Sequence, residues 1–486
     1  MTANSLRNPQ SAAERSETEQ PSLPRPICSI RNRRAVITGI GPITCIGTGR
    51  EAFWRGILAQ RSGISRITSF DTSQLRAHHG GEIRDWDPAQ FFPPHRLKRL
   101  DRYAQFAVAS ALLALDDAGF AWSRDKPQAR VGVSFGTALG GIANAEIEHQ
   151  RFLQKGPRGV NQTLALQVFG GSAHSNIAIE CGFRGVGTTN SNSCASGTIA
   201  VGEALRYIRD GMADVIVAGG SEAPLCPLTF GAFDFIKTMS RWTGDPHHAC
   251  RPFDLARDGF VMGEGAASLV IEEYEHAKNR GAKIYAEVLG YALNNEAHHM
   301  TSPLPSGEAV IACMRDALAD AGVAPGEIDY INAHASSTQL NDANEAMCVR
   351  SVFGAKVEGE RMKDEKNRAS APQSPNQSAA GDMSHSSLIL HPSSFPPPLP
   401  AVSGTKAYTA HPLGATGAIE TAICALAIDR SFIPPTLHHT SPDPACGIDV
   451  VPNEGRSQKL RYVMNNAFGF GGINACIVLG RVGAGA

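Results

Sequence analysis

The chain has no long apolar run, no closely spaced cysteine pair and almost no net charge. No stretch approaches the ~20 consecutive apolar residues of a membrane-spanning helix. The formal net charge of −1 offers no attraction to nucleic acid or to a membrane surface. The 11 cysteines are scattered without C-x-x-C spacing, which argues against a zinc site or a disulfide framework and for a reducing compartment. These absences predict a cytoplasmic protein without membrane insertion, nucleic-acid binding or a bound metal.

Two segments lack the hydrophobic residues that a packed core needs. Residues 1–33 are polar and contain no apolar h-region, so this stretch is not expected to be a secretory signal. Residues 357–400 are rich in Ser, Pro, Asn, Gln and charge, and a structureless loop of this length is unusual inside a compact domain. We predict that the first segment is a disordered tail and the second a disordered insertion.

Over the rest of the 486 residues, apolar strand patterns alternate with amphipathic or alanine-rich helix patterns. This alternation predicts an α/β fold whose sheets are covered by helices on both faces. The order of strand, glycine turn and apolar helix occurs early in the chain and again after Tyr285. We therefore predict a duplication, with one half at residues 34–281 and the other at residues 282–484.

A single cysteine lies among small polar residues at 190–197. Residues 185–189 are typical of a strand that follows glycines, and residues 195–211 have the apolar spacing of a helix. Cys194 is therefore predicted at the turn that opens a helix, where unpaired N–H groups and the positive end of the helix dipole lower the pKa of a thiol. The alternative is a buried structural cysteine, which is the commoner role of a lone cysteine.

Two further turns carry a histidine. His334 ends the apolar strand pattern at 328–334 and is followed by small hydroxyl residues and by Asp342, an acid that could cap the next helix. His411 lies in a glycine-rich loop that runs into a helix. Since ligand sites of open α/β sheets cluster at the carboxyl ends of strands, both histidines are expected to converge with Cys194. The alternative for each is a hydrogen-bonded structural histidine.

The loop of His411 also contains a lysine and a glutamate, Lys406 and Glu420. A final glycine cluster at 465–474 includes Phe468 and Phe470. Its backbone N–H groups are suited to an oxyanion hole, because glycines allow close approach of a ligand. The alternative is a plain hairpin turn, although two aromatic residues between glycines argue against that.

Together these motifs resemble the elongating class of β-ketoacyl-[acyl-carrier-protein] synthases, which has the thiolase-like fold. The resemblance covers roughly residues 34–483, and it implies two duplicated α/β halves that form a five-layered α-β-α-β-α core. The matching segments, in the order that the family has, are residues 193–197, 251–254, 257–265, 332–334, 406, 411–417 and 466–474.

The resemblance also implies roles for the candidate residues. Cys194 matches the nucleophile that takes the acyl chain from a carrier-protein thioester. His334 and His411 match the histidines that donate hydrogen bonds to the malonyl thioester carbonyl and help its decarboxylation. Lys406 and Glu420 match the lysine and glutamate that fix charge and orientation nearby.

Further roles follow from the same resemblance. The backbone N–H groups of Cys194 and Phe470 match an oxyanion hole, and the Phe470 ring matches an aromatic gate before the acyl pocket. Phe468 and Asp342 are expected to support the site. A second histidine, rather than asparagine, favours elongation from an acyl carrier protein over initiation from acyl-CoA.

The resemblance implies binding positions for the substrate's carrier. Ser336 and Thr338 fall where family hydroxyls contact the pantetheine arm. Ala335-Ser336 stands where Gly-Thr is usual, and Asn192-Ser193 where Thr-Ala is common. A basic cluster falls where relatives dock the acidic carrier protein, with a solvated helix face as the alternative. Its members are Arg96, Lys98, Arg99 and Arg102.

The predicted reaction joins acyl-[carrier protein] and malonyl-[carrier protein] to give 3-oxoacyl-[carrier protein], carbon dioxide and free carrier protein, in fatty acid elongation. It needs no metal or organic cofactor, and the family implies a homodimer. One alternative is the same chemistry in a polyketide or specialised lipid pathway. Others are a non-catalytic subunit that sets chain length, against which Cys194 argues, and a thiolase acting on CoA esters, against which His411 argues.

Overall fold

The computed structural model describes residues 33–354 and 399–484. The predicted tail, apart from residue 33, and the predicted insertion, apart from residues 399 and 400, lie outside the described residues. Within the described part of the chain, no helix has the length and apolar character needed to cross a membrane.

Fifteen strands occur in the described ranges. They are β1 (Ala35–Thr44), β2 (Gly47–Thr48), β3 (Ser65–Arg66), β4 (His79–Gly80), β5 (Val131–Gly136), β6 (Gly187–Asn190), β7 (Val215–Glu222), β8 (Gly265–Glu273), β9 (Ala286–Asn295), β10 (Tyr330–Asn332), β11 (Ala401–Ser403), β12 (Phe432–Ile433), β13 (Arg456–Ser457), β14 (Tyr462–Gly469) and β15 (Ile473–Gly480).

The α-helices of the same ranges are numbered separately. They are α1 (Arg50–Leu58), α2 (Pro94–Leu97), α3 (Arg102–Asp117), α4 (Ile142–Lys155), α5 (Leu164–Val168), α6 (Ser172–Cys181), α7 (Ser196–Arg209), α8 (Pro227–Phe235), α9 (Tyr274–Asn279), α10 (Glu308–Ala321), α11 (Gln339–Phe353), α12 (Lys406–Thr409) and α13 (Thr416–Arg430).

The long strands form two half-sheets with the same topology. The first has the order β1-β8-β7-β5-β6 and the second β9-β15-β14-β10-β11. In each half the first two pairings are antiparallel and the last two are parallel. The predicted duplication of an α/β unit is confirmed by this identical strand order. The predicted boundary at residue 281 falls in the connection between α9 and β9.

Helices form three layers around the two half-sheets. Helices α3 and α6 lie on the outer side of the first half, and α10 and α11 on the outer side of the second. Helices α7 and α13 pack against each other between the halves. Every residue of α13 from Thr416 to Ile428 is buried, as expected for a helix with a sheet on each side. The result is the predicted α-β-α-β-α arrangement, in which β1 and β9 also pair edge to edge.

The two central helices begin with the same local structure. A 3₁₀ turn, Ser193–Ala195, precedes α7, and a 3₁₀ turn, Leu413–Ala415, precedes α13. The first residue of each turn has a left-handed backbone, with φ of 53° at Ser193 and 35° at Leu413. The Cys194 turn and the His411 loop are therefore carried to the centre of the molecule by equivalent elements of the two halves.

Glycines allow these two helix starts to touch. A Cβ atom on Gly197 would lie 2.6 Å from the backbone nitrogen of Ala418, and one on Gly417 would lie 2.6 Å from the backbone nitrogen of Thr198. These distances are shorter than a van der Waals contact. Any side chain at either position would therefore separate the Cys194 turn from the loop of His411.

We expect Gly197→Ala to lower the free energy of unfolding by about 1–3 kcal/mol, because the added methyl group must displace the backbone of α13. Denaturant unfolding measures this change. Gly231→Ala is the matched control, since Gly231 is also buried in a helix and its Cβ would meet only Leu75, at 3.6 Å. Equal unfolding midpoints for Gly197→Ala and the wild type would contradict the close crossing.

Candidate active site

The Cys194 turn is closed by short hydrogen bonds between neighbours. The Ser196 hydroxyl donates to the carbonyl oxygen of Ser193 at 2.7 Å and accepts from the backbone N–H of Asn192 at 2.8 Å. The Asn190 side chain donates to the Ser196 carbonyl oxygen at 3.1 Å. Cys194 therefore lies at the entry to α7, as its sequence context predicts.

The direction of the predicted shift at this thiol was wrong. Burial raises the pKa of the Cys194 thiol above its ordinary value. The Ser193 hydroxyl, the Lys406 charge and the Phe470 backbone N–H act in the opposite direction and lower it. Loops distant in sequence exclude water from the sulfur, which disfavours the charged thiolate. This rise in the pKa is larger than the decrease expected from the helix N-terminus. With its pKa raised, the Cys194 side chain rests as a neutral thiol.

His334 lies two residues after β10 and is 4% exposed. Its backbone N–H and that of Ala335 each donate to the Glu345 carboxylate at 2.8 Å. The His334 ring lies 5.5 Å from the His411 ring, centroid to centroid, at an angle of 78°. The two predicted histidines therefore converge, although 77 positions separate them in the sequence.

His411 is held by a hydroxyl and a backbone carbonyl. Its Nδ1 lies 2.8 Å from the Thr416 hydroxyl, and its backbone N–H donates to the Val261 carbonyl oxygen at 2.8 Å. Burial, together with the Lys406 charge, lowers the pKa of His334 and of His411 well below the ordinary value. Both rings are neutral at pH 7, and each neutral imidazole has one N–H to donate.

A buried ion pair lies behind the histidines. Lys406 Nζ is 2.7 Å from Glu420 Oε1, and both side chains are at least 98% buried. Lys406 Nζ also donates to the carbonyl oxygen of His334. Burial raises the pKa of Glu420 to about 7, although the Lys406 charge opposes this rise. The lysine thus connects the His334 turn to α13, as the predicted supporting pair requires.

Two buried carboxylates that organise the site were missed in the sequence. Glu222, at the end of β7, accepts the backbone N–H groups of Ala138 at 2.6 Å, Leu139 at 3.0 Å and Gly414 at 3.0 Å. It therefore joins the loop after β5 to the turn before α13. The sequence feature that could have revealed Glu222 is an acidic residue at the carboxyl end of an apolar strand pattern.

The second missed carboxylate is Glu345, which accepts the backbone N–H groups of the His334 turn as described above. The Asn466 side chain also donates to it, at 3.3 Å. Burial raises the pKa of Glu345 to about 7, although these N–H donors lower it. Glu345 lies on α11, where no local sequence pattern distinguishes it from a surface acid.

Residues 470–472 of the glycine cluster form the turn of the β14–β15 hairpin, and the oxyanion hole of its backbone N–H groups stays a prediction. This turn packs on Cys194. A Cβ atom on Gly469 would lie 3.2 Å from the Cys194 nitrogen, and the Phe470 backbone N–H faces the sulfur. The Phe470 ring stacks on Phe233 at 6.2 Å, and the Phe468 ring lies 5.8 Å from the His334 ring.

Asp342 does not cap the following helix, contrary to the prediction. The cap is Thr338, whose hydroxyl accepts the Asn341 backbone N–H at 3.2 Å, so α11 begins at Gln339. Asp342 is buried one turn further on and accepts the Phe253 backbone N–H at 2.9 Å. It holds the 251–254 segment against the His334 turn.

A single cavity of about 500 Å³ collects the reactive groups. Cys194, His334 and His411 line it together with Phe470. Ser336 and Thr338 also line the cavity, and their hydroxyl oxygens lie 2.9 Å apart. A volume of this size is within the range of pockets that bind small molecules.

The predicted basic cluster divides into two pairs. Arg96 forms an ion pair with Glu180 at 3.0 Å and is mostly buried, and Arg102 binds Glu264 through two nitrogens at 2.6 and 2.7 Å. Lys98 and Arg99 are exposed and, together with His95, line a separate surface depression. Lys98 and Arg99 are thus the exposed pair of the cluster, whereas the Arg102 side chain is 40% exposed and bound to Glu264.

Comparison with known proteins identifies the class of this site. The β-ketoacyl synthase N-terminal domain matches residues 32–277, and the C-terminal domain of the same family matches residues 285–365 and 392–440. The chain therefore belongs to the β-ketoacyl synthase family and is an enzyme of the acyltransferase type.

Individual relatives cover nearly the whole chain. The 3-oxoacyl-[acyl-carrier-protein] synthase 2 of Coxiella burnetii is 37% identical over 93% of this chain and 100% of its own length. The protein of the same name from Synechocystis is 35% identical over 93% and 99%. The predicted resemblance to the elongating class is confirmed by these relatives.

Solved structures agree with the predicted thiolase-like fold. The ishigamide ketosynthase/chain length factor has a TM-score of 0.79 and 34% identity, covering 93% of this chain and 100% of that chain. A ketosynthase in complex with its type II polyketide synthase acyl-carrier protein, bound to the hexaketide, has a TM-score of 0.78 and 32% identity, covering 93% and 99%.

Proposed function

We propose that this chain is a 3-oxoacyl-[acyl-carrier-protein] synthase that elongates fatty acyl chains by decarboxylative Claisen condensation. The observation that carries the proposal is the arrangement of a thiol and two neutral imidazoles around one cavity, beside the buried Lys406–Glu420 pair. A thiol can hold an acyl chain, and neutral imidazoles can donate hydrogen bonds to a second thioester.

The first half-reaction is acyl transfer. The Cys194 sulfur, after loss of its proton, attacks the thioester carbonyl of the acyl-carrier. The backbone N–H groups of Cys194 and Phe470 donate to the oxyanion that forms. Collapse of this intermediate breaks the carbon–sulfur bond to the carrier, whose sulfur regains a proton. The products are acyl-Cys194 and a free carrier thiol.

The second half-reaction is decarboxylation and condensation. The malonyl thioester carbonyl accepts hydrogen bonds from the His334 and His411 N–H groups while its carboxylate leaves as carbon dioxide. The electron pair of the broken carbon–carbon bond forms an enolate, whose oxygen the two imidazoles stabilise. The enolate carbon attacks acyl-Cys194, which releases the sulfur and forms the 3-oxoacyl-carrier.

The neutral state of the histidines suits this step. A protonated imidazole beside Lys406 would add a second positive charge to a buried site. A neutral imidazole stabilises the enolate by hydrogen bonding and carries no charge when the site is empty. The Thr416 hydroxyl can donate to Nδ1 of His411, which leaves the proton of that ring on Nε2.

The proposed test supplies the purified full chain with acyl-carrier protein and malonyl-carrier protein. Mass spectrometry is expected to find the acyl group on the Cys194 peptide and the 3-oxoacyl product on the carrier. Acyl-CoA with acetyl-CoA is the comparison that tests for thiolase activity. Efficient condensation of the CoA esters alone, without carrier proteins, would contradict the proposal.

A polyketide or specialised lipid pathway is the second candidate, because the similar solved structures include a type II polyketide ketosynthase and the ishigamide ketosynthase. A panel of saturated acyl-carriers against 3-oxoacyl-carriers of equal length distinguishes the two. Preference for saturated chains supports fatty acid elongation, and preference for 3-oxoacyl chains supports polyketide extension.

Carrier-protein docking is assigned to the exposed pair Lys98 and Arg99. Their charges complement an acidic carrier, and Arg96 and Arg102 are already occupied by internal ion pairs. The similar ketosynthase solved with its acyl-carrier protein supports a carrier as partner.

Reversing both charges, Lys98→Glu with Arg99→Glu, is expected to raise the KM for acyl-carrier protein about tenfold at low salt with little change in kcat. The reason is that these charges increase the rate at which the carrier associates and do not take part in the chemical step. Steady-state kinetics at two salt concentrations measure this effect. Arg124→Glu with Lys126→Glu is the matched control on another exposed surface. An equal rise in the control would show a general charge effect.

A homodimer and a cytoplasmic location complete the proposal. Strand β6 is the last strand of its half-sheet in the described chain, so its outer edge is open to a second copy. Exposed apolar side chains at Leu166, Phe169 and Ile179 lie on α5, α6 and the connection between them, and α6 packs beside β6.

The cysteines of the described residues are free thiols, which supports a reducing compartment.

A further inference from the structure

The Cys194 sulfur has one side-chain hydroxyl beside it among the described residues. Ser193 Oγ lies 3.7 Å from Sγ, within hydrogen-bonding distance for sulfur. Within the same part of the chain, this hydroxyl makes no other hydrogen bond. A hydroxyl can both donate and accept, so it can serve the sulfur in either protonation state.

The backbone fixes this hydroxyl beside the sulfur. Ser193 has a φ of 53°, a left-handed conformation that glycine adopts without strain. The Ser196 hydroxyl holds the Ser193 carbonyl oxygen from one side, and Gly469 packs on the other, where an added Cβ would lie 3.2 Å from Ser193 Cβ. The side chain is therefore confined between the turn and the β14–β15 hairpin.

We infer that the Ser193 hydroxyl is a catalytic hydrogen-bond donor that stabilises the thiolate of Cys194 for the acyl-transfer step. In the thiol state, the S–H donates to Ser193 Oγ. In the thiolate state, the hydroxyl rotates and donates its O–H to Sγ. The hydroxyl keeps its own proton throughout, and the proton of the thiol passes to solvent water. The thiolate is favoured because a hydrogen bond to a charged acceptor is stronger than one to a neutral group.

The other groups around the sulfur cannot replace this donor. Lys406 favours the thiolate by its charge at a distance, while the Glu222 carboxylate opposes it. His334 and His411 are neutral and add no positive charge, and the proposed function engages their N–H groups with the malonyl carbonyl. The Phe470 backbone N–H faces the sulfur in the resting site, but the proposed function engages it with the oxyanion during transfer. Ser193 is then the side-chain donor left on the sulfur.

The test measures alkylation of Cys194 by iodoacetamide as a function of pH in the full chain, with the Cys194 peptide quantified by mass spectrometry. Ser193→Ala and Ser193→Gly both remove the hydroxyl, and only Ser193→Gly also removes the strain of the left-handed backbone conformation at this residue. Both are expected to raise the apparent thiol pKa and to slow alkylation at pH 7 by about three- to tenfold. Ser191→Ala is the control, because that hydroxyl donates to the Ala138 carbonyl oxygen at 2.9 Å.

Three results would overturn the inference. They are an unchanged thiol pKa in both Ser193 variants, a shift in only one of the two, or an equal shift in Ser191→Ala. Thermal unfolding of each variant establishes that the compared proteins are folded. The inference rests on the proposed role of Cys194 in acyl transfer, yet alkylation uses no acyl carrier. If the chain did not accept acyl-carrier protein as a substrate, the measured pKa of the Cys194 thiol would be unaffected.

Discussion

Cys194→Ala is expected to abolish acyl-enzyme formation and condensation together, because the acyl chain then has no sulfur to which it can be transferred. Removal of a covalent nucleophile typically costs several orders of magnitude in rate. Intact-mass spectrometry after incubation with acyl-carrier protein measures the first loss, and formation of 3-oxoacyl-carrier measures the second. The variant removes one sulfur from a preformed cavity, so the fold is expected to remain.

Cys181→Ala is the matched control for this experiment. Cys181 is also a buried free thiol, and it lies at the end of α6, away from the cavity. It should retain acylation and condensation. Condensation by Cys194→Ala at the wild-type rate would disprove the assignment of the nucleophile, and acylation at another cysteine would relocate the site.

His334→Ala and His411→Ala are expected to separate the two half-reactions. Each removes one N–H donor from the enolate oxygen, so malonyl decarboxylation should fall on the order of 10²–10³-fold. Acylation of Cys194 should continue, because the backbone N–H groups of Cys194 and Phe470 stabilise that transition state. Release of carbon dioxide from malonyl-carrier protein and the mass of the acyl-enzyme measure the two steps independently.

The pH dependence gives a second measure of the histidines. Burial lowers their pKa well below 6.5, so both stay neutral as the pH falls from 7.5 to 6.5, and the decarboxylation rate should stay level over that range. An ordinary histidine would be half protonated at the lower value. His149→Ala, at an exposed position on α4, should leave both steps unchanged. Equal loss of acylation and decarboxylation in the His334 and His411 variants would contradict their separate role.

The positions of Cys194 and His334 could be predicted because each belongs to a short motif just after a strand, and that of His411 because its glycine-rich loop runs into a helix. Their convergence follows from the α/β topology, which brings strand ends to one region. Lys406 and Glu420 lie on one loop and on the helix that follows it, so their pairing could also be predicted from the sequence.

The electrostatics could not be predicted in the same way. The pKa of Cys194 depends on burial by the β14–β15 hairpin and by other loops far along the chain. Glu222 and Glu345 accept hydrogen bonds from backbone N–H groups, and the sequence did not identify these partners, although Glu222 ends an apolar strand pattern. Arg96 and Arg102 resembled their exposed neighbours because Glu180 and Glu264, their partners, are distant in sequence.

The matching turns before α7 and α13 differ in the room that each leaves for a side chain at its second residue. Residues 193–197 (Ser-Cys-Ala-Ser-Gly) and 413–417 (Leu-Gly-Ala-Thr-Gly) occupy equivalent places in the duplicated halves. Gly414 stands where the first copy has Cys194, and a Cβ there would lie 2.3 Å from the Ala138 nitrogen. The second turn therefore has no room for a side chain at this position. The Gly414 backbone N–H donates to the Glu222 carboxylate instead, and the Thr416 hydroxyl orients His411. In the proposed function the two equivalent turns divide the chemistry: the first would bond to the substrate through Cys194, and the second supports His411 through Thr416.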